Sequence, residues 1–125
     1  MKKILLAVFL LMNVLSPAQT GIWGVTGAGG DFNAGVIFKT DLSGDNYTLK
    51  QSLFRYDGDY PKSNLFQASD GKFYGMTSSC CVFDAYGVFF RYDPVTKEYN
   101  KLFDFNDTIN GSIPQGGLIQ GKDGK

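Results

Sequence analysis

The chain has no histidine at all, one glutamate (Glu98), one tryptophan (Trp23) and only two cysteines, Cys80 and Cys81, side by side. Without histidine, Ser-His-Asp and Cys-His nucleophile arrangements are excluded from this segment, as are imidazole metal sites. Alanine and leucine are too sparse and scattered to give the 3.6-residue apolar period of an amphipathic helix beyond the first twenty residues. Twelve basic residues balance twelve acidic ones, so no basic surface is available to neutralise phosphates, and nucleic acid is excluded as a partner.

The one long apolar run is at the start. Lys2-Lys3 precedes Ile4 to Leu15, which only Asn13 interrupts, and Ser16-Pro17-Ala18 supplies small residues before Gln19. Twelve apolar residues reach only ~18 Å as a helix against a ~30 Å hydrocarbon core, so the run is too short for a membrane span. Residues 1–18 read as a secretory signal peptide with cleavage before Gln19. Losing Lys2 and Lys3 leaves ten basic against twelve acidic residues, a net charge near −2. Export makes the expected location extracellular.

What is abundant is glycine, sixteen residues, and phenylalanine plus tyrosine, eighteen together. Aromatics favour pleated strands and Gly and Asp the turns between them, so the expected class is all-β. The order of these residues repeats. Ile22-Trp23-Gly24-Val25-Thr26 aligns with Phe73-Tyr74-Gly75-Met76-Thr77 at an offset of 51, and Gly35–Lys39 with Gly87–Arg91 at 52. Ser52–Tyr56 is read over Lys101–Phe105 at 49. Pro61, Leu65, Gln67 and Asp70-Gly71-Lys72 align with Pro114, Leu118, Gln120 and Asp123-Gly124-Lys125 at 53. Four matches in one order indicate duplication.

The complete copy, residues 64–116, reads as four strands at Asn64–Ala68, Lys72–Thr77, Gly87–Tyr92 and Glu98–Phe105. A tight turn at Ser69-Asp70-Gly71, a loop Ser78–Tyr86 and a turn at Asp93–Lys97 join them. The first copy, 19–63, lacks its opening strand, and 117–125 begins a third. Gly-Val-Phe-Phe-Arg-Tyr is apolar on both faces, as suits a strand covered from both sides. The expected architecture is tandem four-stranded antiparallel blades of a partial β-propeller, cut short at Lys125. A further Leu-x-Gln strand from downstream blades of the same chain is expected to complete residues 21–26.

The runs Leu65–Thr77 and Leu118–Lys125, with Trp23-Gly24-Val25-Thr26 and Gly29-Gly30, resemble the tandem repeat named GloVer, found in secreted bacterial choice-of-anchor proteins. The motif positions are Trp23, Gly24, Thr26, Gln67, Asp70, Gly71, Tyr74, Gly75, Thr77, Gln120, Asp123 and Gly124. The resemblance implies a secreted, kelch-like repeat protein held at the cell surface by a C-terminal module, and it transfers no catalytic residue. The chain departs from the pattern at Cys80-Cys81, which stand where the first copy has Gly29-Gly30.

No catalytic residue and no cofactor are expected. Asp57 with Asp59, and Asp104 with Asp107, are the nearest candidates for the paired carboxylates of glycoside hydrolysis, and their Gly- and Asn-rich surroundings read as turns. Asp104, Asn106 and Asp107 faintly resemble a calcium loop but lack both the bidentate Glu and the full ligand spacing. Gly27-Ala28-Gly29-Gly30 has no Lys-Ser/Thr after it and is no phosphate loop. Cys80 and Cys81 are free loop residues, a strained vicinal disulfide, or partners of cysteines further along a longer chain. Trp23, Tyr74, Phe89, Phe90, Tyr92 and Phe103 are read as blade core rather than a sugar platform.

The functional expectation is a non-enzymatic protein that binds a protein or carbohydrate through the Gly27–Ala34 and Ser78–Tyr86 loops. The alternatives are a polysaccharide-processing enzyme with its site in further blades, and a structural spacer or adhesin. Exposed aromatics at the loop tips would favour the binder.

Overall fold

The computed structural model describes residues 20–79 and 86–125. The signal-peptide reading and Cys80-Cys81 fall outside the described residues. The chain is all-β, with eight strands and one four-residue helical turn among the described residues. Strands β1 (Ile22–Thr26), β2 (Val36–Thr40) and β3 (Thr48–Ser52) form a three-stranded antiparallel sheet in that order. Strands β4 (Asp59–Pro61), β5 (Phe66–Gln67), β6 (Phe73–Ser79), β7 (Val88–Tyr92) and β8 (Tyr99–Asp104) form the second, in order β4-β6-β7-β8 with β5 also on β6. Neither sheet closes on itself.

The two sheets are copies in detail. Each has its central pair in the same register, Thr26 opposite Val36 and Thr77 opposite Val88. Each carries a bulge in its next pair, between Ile37 and Phe38 in one and between Phe89 and Phe90 in the other. Ser52 lies opposite Val36 as Asp104 lies opposite Val88, and Leu53 and Phe105 donate to the carbonyls of Gly35 and Gly87, both at 2.9 Å. These pairs fix the equivalence of β3 and β8 at an offset of 52, which corrects the 49 read from the aromatic runs. Phe54-Arg55-Tyr56 therefore lies beyond the strand.

Three segments differ from expectation, two of them read as strands and one as a turn. The outer edge of β6 is covered by two short pieces, β4 near Thr77 and Ser79 and β5 near Phe73 and Tyr74, instead of one strand over Asn64–Ala68. Between them Ser63 is buried, and its hydroxyl both donates to the Met76 carbonyl and accepts from the Met76 N–H, each at 3.1 Å. One side chain thus replaces the interrupted ladder. Gly117–Gln120 makes no strand ladder, because a strand needs a neighbour for its backbone groups. Within the expected turn Asp104–Gly111 lies a helical turn, α1 (Asp107–Asn110), closed by Asn110 Oδ1 accepting from the Asn106 N–H at 2.6 Å.

The core lies between the sheets. Ala34, Ile37, Leu53, Phe73, Val88, Phe90 and Tyr92 are buried together, with Trp23, Val25, Leu65 and Tyr99 packed against them. Trp23 of the first sheet meets Phe73 of the second at 4.6 Å between ring centres and Tyr92 at 6.1 Å. Lys39 and Lys50 stand over the same indole at 5.8 and 6.0 Å. In β7, Val88, Phe90 and Tyr92 point into this core while Phe89 and Arg91 are half-buried on the opposite face. Phe103, read from the sequence as core, is exposed and rests edge-on against Phe105 at 5.3 Å.

Candidate functional site

The repeated motif residues shape the backbone. Gln67 Nε2 donates to the Gly71 carbonyl at 3.1 Å and Gln120 Nε2 to the Gly124 carbonyl at 2.8 Å. Asp70 Oδ1 accepts from the Lys72 N–H and Asp123 Oδ1 from the Lys125 N–H, at 3.0 and 3.2 Å. Gly71 and Gly124 both hold φ of 79°, a left-handed value that side chains rarely adopt. Thr26 and Thr77 each accept from the first N–H of the next strand, Val36 at 3.2 Å and Val88 at 3.1 Å. Gly24 and Gly75 leave room for the rings of Phe38 and Phe90. Tyr74 donates its hydroxyl to Asp70 at 2.9 Å.

The two ends of the sheets differ accordingly. At one end lie tight turns tied by aspartates. Asp41 Oδ1 accepts from Ser43 and Asp45 N–H groups, and Asp93 Oδ1 from Val95 and Thr96. Hydrogen bonds from the Ser43 hydroxyl and the Asn46 amide hold the Asp41 carboxyl below the usual carboxylate range. The Val95 N–H, followed by the Lys72 ammonium, does the same for Asp93, and Lys72 Nζ is 3.0 Å from its Oδ2. These carboxylates are committed to local structure.

The opposite end gathers the long connections, 27–35, 53–58 and 105–113, and 80–85 lies outside the described residues. Here three exposed aromatics come together. Phe32 meets Phe54 edge-on at 4.7 Å, and Phe54 meets Tyr56 at 5.1 Å with the rings tilted by 48°. Phe32 is 51% exposed and Tyr56 58%. The loop beneath them is fixed by the Gly29 N–H on Asn33 Oδ1 at 3.0 Å and the Gly35 N–H on the Gly29 carbonyl at 3.1 Å. A run of partly exposed rings can stack on an apolar surface, such as the face of a sugar ring or an apolar side chain.

None of the three was singled out in the sequence. Phe32 sits in a glycine-rich loop, and Phe54 and Tyr56 were read as strand residues because of the offset of 49. Their signal would have been the polar Thr48–Ser52 run, which fills the strand without them.

The remaining candidates lie apart. Asp59 is buried at the junction of the sheets, its Oδ1 without a hydrogen-bond partner, and Asp57 offers its backbone carbonyl to the Tyr99 hydroxyl at 2.8 Å. Burial raises the Tyr99 phenol above its ordinary range, followed by the nearby Asp57 charge. Asp104 is paired with Lys101 at 3.0 Å, Asn106 precedes α1, and Asp107 opens it. Among the described residues no group of three or more acidic or sulfur ligands is placed to hold a metal. No helix among them is long and apolar enough to cross a membrane.

No curated protein and no solved structure matches the chain. A family model described as Gloeobacter/Verrucomicrobia repeat matches residues 12–125, which takes in both sheets, the aromatic cluster and the final turn. The chain belongs to the Gloeobacter/Verrucomicrobia repeat family.

Proposed function

We propose that the chain is part of an exported, non-catalytic repeat array, arranged as propeller blades, whose long-loop end binds a carbohydrate or protein ligand. The leader of residues 1–18 directs export. The repeated polar side chains, Gln67, Asp70, Thr77 and their mates, are consumed in hydrogen bonds to the chain itself. The Phe32–Phe54–Tyr56 cluster is the observation that carries the binding reading, because it gathers three solvent-exposed rings at the end where the connections are long. A carbohydrate is the favoured ligand. Its ring face matches tilted aromatic planes, and Asp31, Arg55 and Asp57, which neighbour these rings in the sequence, can serve its hydroxyls.

Affinity electrophoresis of the exported protein through gels containing soluble β-glucan, xylan or chitosan tests this. Retardation by one polysaccharide is expected, with Phe32→Ala and Tyr56→Ala each weakening it about three- to tenfold, the loss of one stacking ring at ~0.5–1.5 kcal/mol. Migration unchanged in every gel would refute the carbohydrate reading and leave a protein ligand. Retardation insensitive to both variants would remove the cluster from the site.

A further inference from the structure

Three asparagines stand two places before a hydroxyl residue with no proline between: Asn46-Tyr47-Thr48, Asn106-Asp107-Thr108 and Asn110-Gly111-Ser112. In an exported protein this tripeptide is the pattern at which N-linked sugars are attached. All three asparagines are exposed, so exposure does not separate them. The state of each amide does, because its nitrogen has to become the nucleophile.

Two of the amides are committed. Asn46 Nδ2 donates to Asp41 Oδ2 at 2.7 Å inside the turn that joins β2 to β3, and the residue holds a φ of 52° there. The Thr48 hydroxyl is spent in the same turn, donating to the Asn46 carbonyl at 3.2 Å. Asn110 Oδ1 accepts from the Asn106 N–H at 2.6 Å while its Nδ2 turns to the Asp104 carbonyl at 3.5 Å, so this side chain closes α1.

Asn106 is the exception. It heads α1, yet its side chain makes no capping hydrogen bond there. Asn110 holds its backbone N–H, so the main chain is fixed while the amide stays free. Asp107, Thr108 and Ile109 are exposed as well, which leaves the tripeptide accessible along its length. A neighbouring unit does not close such a position. Leu53 and Phe105 are equivalent, so Asn106 is the counterpart of Phe54, and Phe54 is 37% exposed with the second sheet in place.

We infer that Asn106 is a glycan attachment site, modified on the folded chain by a membrane-bound transferase that uses an oligosaccharide carried on a polyprenyl diphosphate. Asn106 Nδ2 forms a bond to the anomeric carbon of the first sugar, and the bond from that carbon to the diphosphate oxygen breaks. The polyprenyl diphosphate leaves with the bonding pair, and one amide proton passes to the transferase. The Thr108 hydroxyl completes the recognised pattern. This rests on the export reading, since the pattern acts in exported chains. The two units then differ in chemistry at the same end: the first offers the ring of Phe54 where the second carries a sugar chain.

Two measurements keep this inference and the export reading apart. Secreted protein from the cells that make it naturally is sequenced from its N-terminus, and a start at Gln19 is expected. A chain kept inside the cell with its leader would end the export reading alone. Separately, purified folded protein is incubated with an oligosaccharyl transferase and its lipid-linked oligosaccharide, then digested with trypsin. Electron-transfer fragmentation of the peptide 102–122 is expected to place one glycan on Asn106, with the peptide 40–50 bare. Asn106→Gln and Thr108→Ala are each expected to leave 102–122 unmodified, and Thr108→Ser to retain the glycan. A bare Asn106, a sugar on Asn46 or Asn110, or attachment through the Thr108 oxygen would each overturn the inference.

Discussion

At the scale of single residues, the glycines opposite aromatic rings decide whether the sheets can form. A Cβ at Gly75 would stand 2.5 Å from Phe90 Cζ, and Phe90 is fully buried and hemmed in by Tyr99. Gly75→Ala is expected to cost about 1–3 kcal/mol, since an overpacked site must shift a ring that has nowhere to go. Gly24→Ala meets Phe38 at 2.7 Å, and Phe38 is only half-buried, so its ring can swing outward at lower cost. Urea denaturation of the two variants checks the order, and equal losses would contradict it. Much at this scale was legible. Gly24 and Gly75, Thr26 and Thr77, Gln67 and Gln120 stood out by spacing, and the structure gives each pair one shared role. The aromatic cluster was not, because a run such as Leu53-Phe54-Arg55-Tyr56 satisfies strand propensity as well as a loop platform does.

At the scale of elements, the split outer strand was hidden for a different reason. Asp59–Pro61 contains a proline and a residue of positive φ, Tyr60, both of which argue against a strand. It pairs because it lies on an edge, where the missing proline N–H costs nothing, and because the Ser78 hydroxyl donates to the Tyr60 carbonyl at 2.7 Å. Ser63 joins this piece to β5, and a single oxygen serves both backbone groups of Met76. Ser63→Ala leaves that half-buried donor and acceptor without a protein partner, and a loss of about 1–2 kcal/mol is expected. Hydrogen exchange at the Met76 amide should speed up in the variant, and unchanged protection there would show that the edge does not depend on Ser63.

At the scale of the whole molecule, the fold class and the duplication were readable from composition and spacing, whereas the seam between the sheets was not. Spacing shows that two units exist but carries no information on which faces meet. The seam is centred on Trp23, whose indole touches Phe73 and Tyr92 and lies beneath two lysine ammoniums. Trp23→Ala is expected to remove about 2–4 kcal/mol by opening a cavity between the sheets. Tyrosine fluorescence during urea unfolding reports the change, and a midpoint equal to that of the parent chain would mean that the sheets are held together elsewhere.

The strand β4 belongs by sequence order to the first copy and by hydrogen bonding to the second sheet. Cutting the chain between Ser63 and Asn64 therefore removes an edge from one unit and leaves a loose tail on the other. Anyone wishing to shuffle, graft or multiply these units should splice ahead of Asp59, so that each cassette carries its own border.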